Sequence, residues 1–289
     1  MTLTINTNLS SLIAQRNLNK ATSLLNNAIE RMTTGYKINH AKDNAAGYSI
    51  AKNWETKLGS LDIAADNAAT GSDMLATLED NYSLLSSHVQ RVRDLTEQAA
   101  NGTYGNDSKN AIKAEIKARL DEIDRISANC EFNGRHMMDN TMSNIAIQVG
   151  LDGSGNSRID LSGDIFAKAN TTALFYTSTE SLEQLAEKCA GLVDTDDNRA
   201  RDMLGRIDSV INLISGRVTK LGAAQNRIES AMESIGVQSE NITSSLSTLR
   251  DADVAQESSN FIKAQILQQA ASTLLSTANQ APSIALNLL

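Results

Sequence analysis

The sequence predicts a mostly α fold: a long antiparallel helical bundle or coiled coil with a small β-hairpin region and a discontinuous terminal domain. A strict seven-residue apolar repeat near the C-terminus predicts one long helix. Proline, which breaks helices, occurs once, at Pro282. Aromatic residues make up only 3% of the chain, whereas a compact enzyme core usually buries several large rings. We therefore expect an aliphatic core built along helix seams.

The apolar repeat covers Ile207–Leu249 in alternating steps of four and three residues. Only Gln225 and Ser239 interrupt its apolar positions. A seam of this kind needs partner helices of similar length. Asp196 and Asp197 precede it, and we expect them to cap the first turn of this long helix, where free N–H groups favour negative charge.

The partner helices are predicted in the N-terminal half. Apolar residues three or four apart predict a second long helix from about Asn44 to Ala100, which the segment NGTYGND would end. A shorter helix starts near Ser108 and carries isoleucine and leucine on one face. We expect these helices and the C-terminal one to form an antiparallel bundle.

Residues 131–179 differ in character, because Gly, Asn, Asp and Ser become more frequent. Two alternating runs, Ile145–Val149 and Ile159–Leu161, flank the turn-forming segment LDGSGNS. This pattern predicts a β-hairpin near residues 140–180. A modest helix is expected to follow over Ser181–Gly191.

The two ends predict a further pair of amphipathic helices, and Asp251 or Asp253 can cap the C-terminal one. Neither end can bury its apolar stripe alone, so we expect residues 1–43 and 254–289 to form a terminal coiled-coil domain. Residues 44–253 would form the bundle domain. The apolar last residues suggest burial against another subunit. The residues expected along the assembly seam are Leu18, Leu25, Met32, Phe261, Leu267, Leu274, Leu288 and Leu289.

Composition argues against several classes of partner. The net charge is −8 and no block of Lys or Arg occurs, so nucleic acid is not an expected partner. No stretch approaches eighteen apolar residues, so we expect no membrane span. The N-terminus lacks the basic and apolar regions of a secretory signal. If the protein leaves the cell, we expect another route to carry it.

No residue pattern predicts catalysis, a cofactor or a metal site. The three histidines lie far apart, and neither a phosphate-binding loop nor a nucleophile elbow occurs. The acidic segment Asp194–Asp197 lacks the ligand spacing of a calcium loop. We interpret Cys130 and Cys189 as small residues in or near the core. We expect them not to be joined, because nothing in the pattern brings their elements together.

Several segments, in order along the chain, resemble bacterial flagellins. MTTGYKINHAKDNAAGYSIA (Met32–Ala51) closely resembles the conserved N-terminal flagellin segment, and QRVRDLTEQAANGT (Gln90–Thr103) resembles the stretch that follows it. FNG (Phe132–Gly134) and IQVG (Ile147–Gly150) match as well. In the second half, LGAAQNRIES and KAQILQQAASTLLSTANQAP match, together with the Leu-Leu finish.

The resemblance implies a non-enzymatic subunit that polymerises through its two ends into the flagellar filament, outside the cell. It also implies unfolded export through the flagellar secretion channel. The implied partners are other copies of the chain, an export chaperone that binds the C-terminal helix, a distal cap and hook-junction proteins. The family's variable outer domains should lie between the two matched halves. Residues 151–205 leave room for no large outer domain.

A further implied role is recognition by the animal Toll-like receptor for flagellin. The positions that match the receptor contact are Arg91, Leu95 and Glu115. The alternative interpretation is that these are ordinary helix residues, with Arg91 and Glu115 solvated and Leu95 at the edge of the seam.

A second hypothesis is a signalling or secretion-apparatus coiled coil, such as a soluble helical receptor module or a hook–filament junction protein. The junction proteins are related to flagellins and share their terminal helices. The FNG and LGAAQNR segments favour the filament protein, since both belong to its bundle.

Overall fold

The computed structural model describes residues 8–142, 144–175, 182–192 and 198–286. Its fold is mostly α with short antiparallel strand pairs, as the sequence predicts. The helices are α1 (Leu9–Thr34), α2 (Ala45–Ala99), α3 (Asn106–Asn129), α4 (Thr171–Leu174), α5 (Leu182–Cys189), α6 (Asn198–Arg250) and α7 (Val254–Leu286). The strands are β1 (Glu131–Phe132), β2 (Arg135–His136), β3 (Asn144–Gln148) and β4 (Arg158–Ser162).

The chain divides into two compact units. The terminal unit comprises Met1–Leu58 and Ser239–Leu289, and the bundle unit comprises Gly59–Gln238. These bounds differ from the expected domain limits at residues 43 and 254. The terminal unit also takes in the first part of α2 and the last part of α6, and Glu55 and Arg250 form an ion pair within it.

In the bundle unit, α2 and α6 run antiparallel. Arg93 Nε on α2 donates to Asp208 on α6 over 2.7 Å, whereas the earlier Glu79 accepts from the later Gln225 over 2.8 Å. Each fully buried Leu or Ile in this core contributes roughly 1.5–3 kcal/mol. The core includes the predicted seam residues Leu78, Leu85, Val92, Ile116, Leu120, Ile123, Ile207, Ile214, Leu221 and Ile228.

The predicted β-hairpin is present as β3 and β4. Ile145 pairs with Leu161 and Ile147 with Ile159 in an antiparallel register. Ile147, Ile159 and Leu161 are buried, so one face of the hairpin packs into the core of the bundle unit.

A second, shorter strand pair was not expected from the sequence. β1 and β2 pair antiparallel through Phe132 and Arg135. The turn between them places Asn133 at a φ of 49° and Gly134 at 74°. Both angles are left-handed, which Asn and Gly tolerate best, and Asn-Gly is the usual residue pair in such a hairpin turn. The FNG segment is therefore a turn motif.

Polar contacts hold the segment after β4 on the helices. The Tyr82 hydroxyl donates to the carbonyl of Ile165 over 2.8 Å, and the Asp124 carboxylate accepts from the backbone N–H of Thr171 over 2.7 Å.

The helix expected over Ser181–Gly191 is observed as α5. Lys113 on α3 binds two of its glutamates, Glu183 and Glu187. Asp196 and Asp197, the expected caps of α6, lie outside the described residues.

In the terminal unit, α1 and α7 run antiparallel. Asn8 Nδ2 donates to the carbonyl of Ala278 over 2.6 Å, and Arg31, near the other end of α1, binds Glu257 near the start of α7. Of the two expected caps of α7, Asp253 performs the role: its Oδ1 accepts from the backbone N–H groups of the second and third residues after it.

Candidate assembly surface

The apolar side chains that are buried between α1 and α7 are small. Ala14, Ala21 and Ala28 on α1 are buried at intervals of seven residues, and so are Ala264 and Ala271 on α7. Small side chains let two helix backbones approach closely and remove few apolar atoms from water. This seam therefore buries little of the apolar surface that the two helices carry.

The structure corrects the expected seam on α7 by one residue. Phe261 is half-buried, as are Leu18 and Leu25 on α1. By contrast, Leu267 is 44% exposed and Leu274 is 63% exposed. Their neighbours Gln268 and Leu275 face α1 instead and are half-buried, because the α1-facing stripe of α7 follows Ala264 and Ala271. Met32 is 37% exposed at the end of α1.

Leu267 and Leu274 belong to a set of large apolar side chains that α1 and α7 leave exposed, which we call together the outer apolar face. Large exposed apolar patches on a water-soluble chain mark interaction surfaces. The two last seam residues, Leu288 and Leu289, lie outside the described residues. The outer apolar face comprises Leu9, Leu12, Ile13, Leu24 and Ile29 on α1 with Val254, Ile262, Ile266, Leu267 and Leu274 on α7, each at least 42% exposed.

A cluster at the junction of the terminal unit was not foreseen from the sequence. The Arg250 guanidinium lies 4.0 Å from the centre of the Tyr36 ring and pairs with Glu55. The backbone N–H of Lys37 donates to the carbonyl of Arg250 over 2.7 Å. Tyr36 and Asp251 form an isolated antiparallel bridge. The cluster therefore joins the link between α1 and α2 to the link between α6 and α7.

A charged pair on the bundle unit contains two of the predicted receptor residues. Arg91 on α2 and Glu115 on α3 are exposed and lie 2.8 Å apart, N to O. Leu95 is only 2% exposed and packs in the core. Its side chain is therefore not presented on this surface. It also lies deeper than the edge of the seam, where the interpretation as ordinary helix residues placed it.

No catalytic or metal-binding constellation accompanies these surfaces in the described part of the chain. Within residues 8–142, 144–175, 182–192 and 198–286, no group of three or more His, Cys, Asp or Glu could hold a metal ion. Over the same ranges, no helix is both long and apolar enough to cross a membrane. Cys130 and Cys189 are both buried and are not joined in a disulfide, and burial raises the pKa of Cys130 to about 11.

Comparison with known proteins explains this combination of features. The family model for the bacterial flagellin N-terminal helical region matches residues 5–143, and the model for the C-terminal helical region matches residues 204–289. The flagellin of Bacillus subtilis (strain 168) is 32% identical over 304 residues, which cover 99% of each chain. The chain belongs to the bacterial flagellin family.

Other similar proteins agree with this assignment. The flagellin of Listeria innocua is 30% identical over 285 residues, 99% of each chain. The structure of a putative flagellar hook-associated protein from Vibrio parahaemolyticus matches with a TM-score of 0.60 over 72% of this chain and 100% of that one. At 13% identity, this last likeness shows the fold alone.

Flagellins are structural proteins, so the chain is a subunit of the flagellar filament and not an enzyme. This outcome favours the filament hypothesis over a signalling or junction coiled coil. Residues 144–203 lie between the two matched regions of this flagellin. The described residues of this stretch, 144–175, 182–192 and 198–203, contain the β3–β4 hairpin, α4 and α5, and no large additional domain.

Proposed function

We propose that this flagellin polymerises through its two ends, and that the outer apolar face is the surface that neighbouring copies cover. The observation that carries the proposal is a mismatch on α1 and α7: the buried apolar residues of the seam are alanines and its larger side chains are only half-buried, whereas Leu, Ile and Val elsewhere on both helices are exposed. Contact between different faces of successive copies does not close, so it grows as a helix. In the filament, the termini would form the inner coiled coil.

The same mismatch supports a coupling of folding to assembly. A helix pair with a thin alanine seam gains little from pairing, so in the free subunit the ends are largely disordered. They order when neighbours bury the outer apolar face, and that burial offsets the ordering entropy. Assembly inside the cell is thereby disfavoured. Unfolded export through the flagellar secretion channel, with a chaperone on the C-terminal helix, fits ends of this kind, as do contacts with a cap and with hook-junction proteins.

The test is removal of either end. A chain lacking residues 1–35 or residues 254–289 is expected to remain a helical, folded monomer that forms no filaments, because the bundle unit has a core of its own. Circular dichroism reports the fold, and light scattering with negative-stain microscopy reports assembly. Filaments from either shortened chain would contradict the proposal.

A point substitution separates the outer apolar face from the ends as a whole. Ile266→Asp changes a residue of α7 that is 63% exposed, and Ile63→Asp makes the same change on α2 at a residue that is 61% exposed. We expect Ile266→Asp to block filament growth and Ile63→Asp to weaken it far less. Equal effects of the two substitutions would argue against a special role for the outer apolar face.

A second proposed role is recognition by the host Toll-like receptor for flagellin. The exposed Arg91–Glu115 pair favours it, because an Arg held in place by a carboxylate is a common anchor of protein interfaces. Leu95 lies on the same helix as Arg91, and its buried side chain would act only indirectly, by holding that helix in place.

A further inference from the structure

We propose that the Arg31–Glu257 ion pair sets the register of the terminal coiled coil. Arg31 Nη1 lies 3.2 Å from Glu257 Oε1, and the Glu257 side chain is 10% exposed. Asn260 Nδ2 donates to the other oxygen of the Glu257 carboxylate over 3.3 Å. A charged, nearly buried group is thus held at one fixed level of a seam whose other buried residues are alanines.

The alanines of the seam cannot define this register. Ala14, Ala21 and Ala28 follow one another at seven-residue spacing, and Ala264 and Ala271 repeat the same spacing on α7. The larger half-buried residues between the alanines, Leu18 and Leu25 on α1 and Phe261, Gln268 and Leu275 on α7, keep the same spacing. If α7 slid by seven residues along α1, small side chains would again alternate with larger ones along the seam. The slipped packing would lose little dispersion energy, because the side chains that meet are similar in size.

A slip of the whole of α7 would also break the backbone hydrogen bonds of the junction, from Lys37 to Arg250 and from Ala252 to Gly35. Along the rest of the seam, contacts that differ from turn to turn must select the register.

Weaker polar contacts mark the register at other levels. The Asn8 side chain donates to a backbone carbonyl, and any register supplies carbonyls near the end of α7. Gln268 Nε2 donates to Thr22 Oγ1 over 3.3 Å, a neutral contact between half-buried groups. Both contacts cost little to exchange for another partner or for water.

The ion pair differs from these neutral contacts, because a slip would leave a buried charge without its partner. A seven-residue shift of α7 toward the N-terminus of α1 would place Glu257 opposite the turn of Leu24 and would leave Arg31 opposite residue 250, before the start of α7. The carboxylate would then be buried without its cation, which is strongly destabilising. Buried polar residues select a single register in other coiled coils by the same penalty. Arg31 and Glu257 are therefore positioning residues for assembly: they fix the level at which the two halves of the outer apolar face meet.

This inference rests on the proposed pairing of the ends in the filament, and cysteine crosslinking tests the two separately. In full-length chains assembled into filaments, Thr22→Cys with Gln268→Cys probes the observed register, since these side chains touch. Gln15→Cys with Gln268→Cys probes the slipped register, in which Glu257 lies opposite the turn of Leu24. In the observed register its thiols are about 10 Å further apart along the helix, beyond disulfide reach. The native Cys130 and Cys189 are buried, and peptide mapping identifies the bonds formed.

With Arg31 and Glu257 in place, we expect the first probe to crosslink and the second to crosslink at least roughly tenfold less. Glu257→Ala is expected to shift this ratio toward the slipped register by roughly tenfold or more. Glu257→Gln keeps the volume and removes the charge, so it should give a smaller shift and decides the matter if the alanine variant does not assemble. The charge swap Arg31→Glu with Glu257→Arg should restore the observed register.

The matched control is Glu122→Ala, which removes an exposed carboxylate paired with Arg125 on the bundle unit and should leave the ratio unchanged. An unchanged ratio in Glu257→Ala and Glu257→Gln, or a charge swap that fails to restore the ratio, overturns the register assignment. If the first probe fails to crosslink with Arg31 and Glu257 intact, the proposed pairing of the ends is wrong instead.

Discussion

The backbone of Gly71 in α2 lies directly against the side chain of Ile147 in β3. A Cβ atom at residue 71 would overlap Ile147 Cδ1 and would lie 3.2 Å from Cγ1 and 3.3 Å from Cγ2. Close by, Asn67 Nδ2 donates to the carbonyl of Gln148 over 3.3 Å. The hairpin therefore rests on helix backbone, and the missing side chain at residue 71 sets how closely it approaches.

Gly71→Ala is expected to destabilise the bundle unit by about 1 kcal/mol. The added methyl group overpacks the contact with Ile147, at a typical cost of about 1–3 kcal/mol. Alanine's higher helix propensity returns up to about 1 kcal/mol of that. Denaturant unfolding of the full-length monomer measures the difference.

Two controls identify the cause. Gly71→Ala combined with Ile147→Val removes the overlapping Cδ1 atom and should recover most of the lost stability. Gly216→Ala in α6, where a Cβ would meet nothing within 4 Å, should stabilise by about 0.5–1 kcal/mol. If Gly71→Ala behaved like Gly216→Ala, the hairpin would not be held at this distance by the glycine.

Periodicity was enough to predict the long helices and the β3–β4 hairpin, because burial repeats with the geometry of each element. It did not place the seam of α7. Leu267 and Leu274 satisfy the same spacing as Gln268 and Leu275, and the choice between them is made by the alanines of α1. A helix that is apolar on more than one face carries no sequence signal for which face pairs within the chain.

Other features depend on long-range contacts, which no local sequence pattern predicts. Arg250 reads as an ordinary basic residue at a helix end, and only the structure brings it to Tyr36 and Glu55. Leu95 follows the seam spacing, but the spacing does not show that its side chain is only 2% exposed in the folded core. The short β1–β2 turn depends on left-handed backbone angles at Asn133, which apolar periodicity does not predict.

Arg250→Lys is expected to lower the thermal stability of assembled filaments. Lysine keeps the positive charge, but its ammonium group cannot stack flat on Tyr36 while it also binds Glu55. The loss should be on the order of 1 kcal/mol per subunit, which is a typical value for a partly desolvated cation–π contact. Arg125→Lys, at an exposed pair on α3, is the control and should leave the melting temperature unchanged. Equal melting temperatures for both variants would show that the Tyr36 stack contributes nothing.

Acid should remove the contribution of Glu55 to the same cluster. The hydrogen bond from Lys52, together with the charge of Arg250, holds the pKa of Glu55 below its ordinary value of 4.5. Its stabilisation is therefore complete above pH 4.5 and is lost as the pH falls through the lower, folded-state pKa. Filaments of Glu55→Gln should melt below wild-type filaments at pH 7, and the gap should narrow below about pH 4.5. A gap that stays constant down to the pH of disassembly would contradict this.

Cys130 and Cys189 should react with thiol reagents only when the bundle unit opens. Both are at most 2% exposed, and burial raises the pKa of Cys130 from 9.0 to about 11. At pH 8 this shift alone lowers its thiolate fraction by roughly a hundredfold, and the thiolate is the reacting form. Counting thiols with a chromogenic reagent should give two per denatured, unreduced chain and a very slow reaction in the native protein. Absence of reactive thiol after denaturation would mean that the two are joined.

Arg91→Ala should weaken activation of the flagellin-sensing Toll-like receptor in a reporter-cell assay by roughly tenfold or more, since truncation of a hot-spot residue typically costs over 1 kcal/mol. Helix content should not change, because Arg91 is exposed and its pair with Glu115 contributes little to folding. Glu115→Ala, which frees the guanidinium, should give a smaller loss. Arg125→Ala, at an exposed pair further along α3, is the matched control and should activate like the wild type.

Leu95 does not offer a clean test of the same surface. Its side chain is buried, so Leu95→Ala would cost about 2–5 kcal/mol of stability and would lower activation through the fold. Arg91 and Glu115 are free of that difficulty, because both side chains are exposed and paired only with other charged groups across α2 and α3. A wild-type protein that does not activate the receptor, or an Arg91→Ala protein equal to it, would leave this pair as a solvated contact between two helices or as a contact between subunits of the filament.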